Sequence, residues 1–202
     1  MSIRSRLKVG VDVPWVTSWS EETVGGIGPC ATVEGDLAVH QAERPEFGRP
    51  LYSINHFRRQ RESVRAMLCP MCGEPTRHGD RWTQTGKWIP AGVLRARGLA
   101  DSIPREAPDK RVVLDAGAIA PGHRVCMDRS LEHCPHLRGM EDHELKPFPE
   151  HWKVTATMLE ATLAASPQDR LGRTQPSVIS VIGFLQLCAV TDRVDRSWRK
   201  LL

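Results

Sequence analysis

The stretch LCPMCGEP (68–75) decides how the rest of the chain is read. Cys69 and Cys72 flank Pro70-Met71 and are followed by Gly73. A C-x2-C turn aims two thiolates at one point, and a trailing glycine accepts the left-handed backbone such a turn uses. The six cysteines stand at 30, 69, 72, 126, 134 and 188. The opening residues MSIRSRLKVGVDVPW carry cations but no apolar core of a secretory signal, so the expectation is a cytoplasmic chain with reduced thiols. In that setting a C-x2-C pair points to a metal site rather than a disulfide framework. A thioredoxin-like redox motif would need a strand–helix context that the flanking residues do not supply.

One knuckle is half of a tetrahedral zinc site. The other Cys/His-dense region is 122–143, with His123, Cys126, His133, Cys134, His136 and His143. Cys126 is the expected third ligand. A second C-x2-C would need a cysteine at 129, where the chain has Arg129. Were 126–134 helical, Cys126 and Cys134 would lie ~12 Å apart along the axis. Sulfurs sharing one zinc are only roughly 4 Å apart. Cys134 therefore requires a bend between Arg129 and His133. The order of preference for the fourth ligand is Cys134, then His136 or His133, then His123. The expected set is Cys69, Cys72, Cys126 and Cys134 around a structural Zn2+, with no catalytic residue assigned. No H-E-x-x-H or H-x-E pattern offers a general base.

The chain has 202 residues, 40% hydrophobic and 26% charged, which suits an ordinary globular domain. Lys+Arg exceeds Asp+Glu, 28 against 24, a mild excess that permits a nucleic-acid partner without demanding one. The uncharged run 174–191 contains Pro176, Ser180, Gly183 and Gln186 and falls short of a membrane span, so it is expected in the core. Helical spacing of Ile54, Phe57, Val64, Met67 and Leu68 predicts a helix over 54–68, ended by Pro70. Residues 111–114 read as a short buried strand, and Arg124 begins a helix. Pro149, with Trp152, Ala156, Leu159 and Leu163 at i, i+4, i+7 and i+11, predicts a helix, and 176–190 a second, buried one. Val190, Val194, Trp198 and Leu201 extend an apolar stripe. Ser18-Trp-Ser-Glu21 looks like a capping box opening a short helix. The fold expected is α+β: a zinc-ribbon or treble-clef-like core with a helical C-terminal part. Its segments are an N-terminal loop and strand region (1–53), the knuckle region with a long loop (54–148) and the helical part (149–202), packed as one compact domain.

The elements RPEFG (44–48), RQR (59–61), AMLCPMCGEP (66–75), RVC (124–126), HCPHL (133–137) and the Trp152 segment resemble an uncharacterised family of small actinobacterial and phage-associated zinc-knuckle proteins. The resemblance covers about half of the chain. It implies Cys69, Cys72 and Cys126 as ligands, and a packing role for Cys134. That family tends to carry a second C-x2-C where this chain has Cys126 to Arg129. It implies no activity.

Function is expected to be non-catalytic binding or regulation. The densest basic segment, 56–65, carries Arg58, Arg59, Arg61 and Arg65, and Arg58, Arg61 and Arg65 share one helical face that could lie along phosphates. The plain alternative is a solvated face with Arg58 and Glu62 as an i,i+4 pair. A second reading is a protein-interaction or assembly factor using the Trp82/Trp88 loop. A third is a small metal-dependent hydrolase or nuclease using His133, His136, His143 and Asp142, a spacing that matches no known signature. Cys30 follows a glycine-rich stretch with no readable His–Asp partner for nucleophilic catalysis. Neither a membrane nor a small-molecule substrate is indicated.

Overall fold

The computed structural model describes residues 3–100, 103–140, 144–149, 151–163 and 177–190. Its two longest elements lie where the spacing predicts helices. They are strands: β9 (His151–Leu163) and β10 (Ser177–Val190), an antiparallel pair aligned from Ser177 opposite Leu163 to Val190 opposite His151. The i, i+4, i+7 pattern misleads because β-formers outnumber it. Val154, Thr155, Thr157 and Thr162 occupy one strand, and Val178, Ile179, Val181, Ile182 and Phe184 the other. Trp152 and Val154 alternate inward with period two. The expected C-terminal helices are thus corrected to strands, although β10 is buried as expected from Val181 to Cys188 apart from half-buried Phe184 and Gln186. Val194, Trp198 and Leu201 lie outside the described residues.

Six strands form a mixed sheet. Five follow the order β2 (Val24–Pro29), β3 (Leu37–Gln41), β10, β7 (Val112–Gly117), β6 (Lys87–Pro90), and β9 covers the other edge of β10. β10 therefore shares one edge between two neighbours: β3 runs parallel at Ile182–Ala38, and β7 antiparallel from Leu187 to Ala189. The expected short strand at 111–114 is present as β7. Its run of buried Val112, Val113 and Leu114 fits a strand covered on both faces. Leu114 and Ala116 join one core with Val33, Ala38, Val64, Met67, Leu185 and Leu187. Val113 joins a second with Ala91 and Leu94 of α2 (Ala91–Ala96), Ile103, Ala107 and Cys188.

The gap between β3 and β7 is filled from α1 (Phe57–Ala66). Gln60 donates through Nε2 to the carbonyls of Leu185 (2.7 Å) and Ala118 (2.8 Å), and its Oε1 accepts from the Leu185 N–H (3.0 Å). Its amide thus stands in for a missing strand peptide, satisfying groups whose burial would otherwise cost about 1–3 kcal/mol each. Arg61, fully buried, donates to the carbonyls of Gly183 (2.8 Å) and Val39 (2.9 Å). On the next side of the helix, Arg59 makes a bidentate pair with buried Glu22 (2.8 and 2.7 Å) and also donates to the Thr17 carbonyl. Phe57 stacks on Phe184 with ring centroids 4.6 Å apart. His56 caps the helix, its Nδ1 accepting from the Arg59 N–H (3.4 Å).

Two small sheets complete the frame: β1 (Thr17–Trp19) with β4 (Pro50–Asn55), and β5 (Trp82–Thr83) with β8 (Lys146–Pro147). The capping box expected at 18–21 is instead strand and turn: Glu22 Oε2 accepts from the Trp19 N–H (2.8 Å). No described helix is long and apolar enough to cross a membrane.

Candidate metal centre

The α1 helix ends at Met67, whose φ of 50° turns the chain, and an antiparallel bridge of Leu68 with Pro75 closes the knuckle. Inside it the Cys69 N–H donates to the Glu74 carbonyl and the Gly73 N–H to the Cys69 carbonyl, both at 2.8 Å. Gly73 is required twice. Its φ is +82°, and a Cβ there would come within 2.9 Å of the Trp15 ring. Trp15 and Val16 donate their N–H groups to the carbonyls of Met71 and Pro70, so the N-terminal segment is stitched to the knuckle backbone.

The other half comes from the start of α3 (Arg124–His133), the helix expected from Arg124 onward. His123 is its N-cap residue and Cys126 lies in its first turn. Paired hydrogen bonds of 2.9 Å between Gly122 and Trp82 fix the approach. A Cβ at Gly122 would meet the Met127 methyl at 2.2 Å and the Cys69 sulfur at 3.1 Å, so a larger residue would have to displace the Met127 side chain and crowd a donor of the group. Asp80 caps the helix by accepting from the Arg124 N–H (2.8 Å), and the Arg124 guanidinium lies over Trp82, 4.3 Å from the ring centroid.

These two pieces bring four donor atoms, from Cys69, Cys72, His123 and Cys126, within 4.8 Å of one another. His123 Nδ1 lies 3.5 Å from the Cys72 sulfur and 3.9 Å from that of Cys126. Ligands on a tetrahedral zinc with bonds of ~2.0–2.3 Å are spaced about 3.5–3.8 Å apart, so this Cys3His group can hold one such ion. The outer nitrogen of His123 is 3.2 Å from the Pro75 carbonyl, an acceptor that would fix the ring with Nδ1 toward the sulfurs. Cys69 is fully buried, and the others are half-buried. Burial, followed by the neighbouring sulfurs of Cys69 and Cys72, pushes the Cys126 thiol up to about 12. Burial likewise raises Cys72. Three thiols this close resist joint ionisation unless a cation shares them, and a bound metal deprotonates them outright. The positive end of α3 adds to that stabilisation.

Cys69, Cys72 and Cys126 are therefore together, as expected, but the fourth member is His123 rather than Cys134. Cys134 is the C-cap of an unbent helix, its N–H bonded to the Ser130 carbonyl at 2.9 Å, a full ~12 Å of axial rise beyond Cys126. His133 projects from that helix end with its side chain 70% exposed. The His136 side chain, and all of Asp142 and His143, lie outside the described residues. Arg129 is exposed on α3. His123, last in the expected order of preference, is thus the member present: in His123-Arg-Val-Cys126 the x2 spacing lies before Cys126 rather than after it.

The four arginines of α1 part company. Arg59 and Arg61 are buried and committed to internal partners, so they cannot reach a phosphate. Arg58 and Arg65 are about half exposed; Arg58 pairs with Glu62 (2.7 Å) and Glu43 (3.0 Å), and Arg65 with Glu34. Trp82 and Trp88 form no free loop: Trp82 pairs with β8 under Arg124, and half-buried Trp88 packs against the main core. Trp19 is fully buried, and Trp15 covers Gly73.

Comparisons with known proteins identify no family: no family model, no curated protein and no solved structure matches the chain.

Proposed function

We propose that the chain is a non-catalytic binding or regulatory protein whose fold depends on one structural zinc. The observation that carries this reading is the four-donor group itself. Three thiolates and an imidazole complete a tetrahedron, leaving no position for a water or substrate to be activated, whereas catalytic zinc keeps one open. A knuckle joined to the first turn of a helix is treble-clef-like, and the ion would tie 69–75 to 122–126 across an intervening segment that holds β5, β6, α2 and β7 rather than the long loop expected from the sequence. Cys69, Cys72 and Cys126 would supply the anionic ligands, and His123, steered by the Pro75 carbonyl, the neutral one.

A nucleic-acid contact along α1 would rest on Arg58 and Arg65 alone, each of which would have to leave a carboxylate. Such binding would be weak and strongly salt-dependent. The purified chain should carry one equivalent of zinc, and His123→Ala and Cys72→Ser should each lose it. Binding to duplex and single-stranded DNA should be measured across salt concentrations beside Arg58→Glu/Arg65→Glu. Metal-dependent hydrolysis of a phosphodiester or ester, or a metal-free chain as stable as the loaded one, would overturn the proposal.

A further inference from the structure

Arg61 poses a charge problem that the fold does not otherwise resolve. Its side chain is fully buried, and its partners are the Gly183 and Val39 carbonyls, the Thr32 hydroxyl (3.1 Å) and the Cys30 sulfur (3.7 Å). Among the described residues no carboxylate lies within ion-pair distance of it, in contrast to Arg59 and its Glu22. A guanidinium does not give up its proton, so neutral partners leave a net positive charge inside the protein. Cys30 is the one partner that can become an anion.

Its surroundings suit one. The Cys30 sulfur lies 3.1 Å from the Thr32 hydroxyl and within reach of Arg61, and the residue is 7% exposed. Burial raises the thiol, but the hydroxyl and backbone N–H of Thr32 together with Arg61 outweigh it, and the net displacement is downward. The charged groups around this point are accounted for. From α1, Arg58 adds a second cation, and Glu62 is paired with it. Glu34, after the turn Ala31–Val33, pairs with Arg65. From the β3 side, exposed Asp36 precedes the strand, and His40 lies against Gly28. β10 presents the Gly183 carbonyl.

We propose that Cys30 is carried as a thiolate, the internal counter-ion of Arg61, and that the pair latches α1 into the opening between β3 and β10. The latch weakens when the sulfur loses its charge, either by protonation or by capping with a soft electrophile. It makes Cys30 a buried thiol that reacts near neutral pH, in contrast to buried Cys188, whose thiol burial pushes up to about 11.

The test uses the full zinc-loaded chain and iodoacetamide, which forms a carbon–sulfur bond on the thiolate and releases iodide. Site-resolved mass spectrometry follows Cys30 from pH 5.5 to 9. Labelling should reach half its maximal rate well below the ~8.5 of a free cysteine. Thr32→Val, which removes a hydrogen-bond donor to the sulfur, should slow labelling at pH 6.5 about tenfold without changing the rate at pH 9, since each unit of pKa is a tenfold change in thiolate on the acid side. A profile centred on the ordinary thiol range overturns the proposal. Thermal unfolding reads the charge without needing access to the sulfur. Cys30→Ser should lower Tm by several degrees, and Cys30→Asp, which restores an anion, should recover most of the loss. A Cys30→Ser protein as stable as the parent, or more stable than Cys30→Asp, overturns it as well.

Discussion

Residues 69–75 and 122–126 meet at four donors whose three thiols cannot readily ionise together without a cation, whereas α1 and β10 are brought together by side chains already complementary to the groups they meet. Each junction joins segments far apart in sequence, fifty residues or more in the first case and over a hundred in the second. On the metal reading proposed above, the first is conditional on something outside the chain. The second is built from one amide and one guanidinium, those of Gln60 and Arg61. Stapling by metal would therefore be switched off by a chelator, which leaves stapling by buried polar groups untouched.

The contrast can be broken in several ways. Cys126→Ser should remove the zinc equivalent and forfeit much of the ~10 kcal/mol by which a structural zinc holds a small unit together. Hydrogen exchange should show protection lost over 69–84 and 122–133 but kept in β10, and loss in β10 too would mean that the two junctions are one. Glu22→Gln leaves Arg59 buried without its counter-charge and should cost about 3–5 kcal/mol in urea unfolding, with zinc content unchanged. Gln60→Leu strands the Leu185 peptide and the Ala118 carbonyl and should cost about 2–3 kcal/mol.

Acid should act on the seating of α1 through His56, at the helix end that packs on Ala42 and Glu22. Burial, and then the Arg59 guanidinium, hold its pKa below the ordinary value. Its contribution is thus complete above the unfolded-state value of ~6.5 and is lost as pH falls below that point, because the unfolded chain takes the proton first. Urea midpoints measured at pH 7.5 and 5.5 should drop in acid, and His56→Gln should flatten the difference. The smallest effect is expected from Cys134→Ser: zinc retained, and stability within about 0.5 kcal/mol of the parent.

Legibility followed the range of the interactions. The knuckle was readable because C-P-M-C-G encodes its own turn, and β7 because Val112-Val-Leu is a local apolar run. α1 was readable too, though it is shorter than its apolar spacing suggested, spanning 57–66 rather than 54–68. His123 was ranked last of the candidate fourth ligands although its x2 spacing from Cys126 was in plain view. A histidine at a helix N-cap becomes a ligand only once the position of the knuckle is known. β9 and β10 were missed because Trp152, Ala156, Leu159 and Leu163 satisfy helical spacing while the residues between them prefer strand, and pairing partners far away settle such a conflict. The roles of Gln60 and Arg61 were invisible for the same reason. A polar residue on a helix looks solvated until an unfilled strand edge faces it.

The shared edge of β10 has a bearing on how the protein is made. β2, β3, β6 and β7 all precede β10 in the chain, yet β3 and β7 meet the sheet only through it. On a ribosome, those earlier strands emerge with no template to complete them, and Gln60 and Arg61 wait for acceptors more than a hundred residues downstream. The knuckle and the start of α3 are finished sooner. Metal capture is thus placed to precede closure of the sheet, which has to wait for β10.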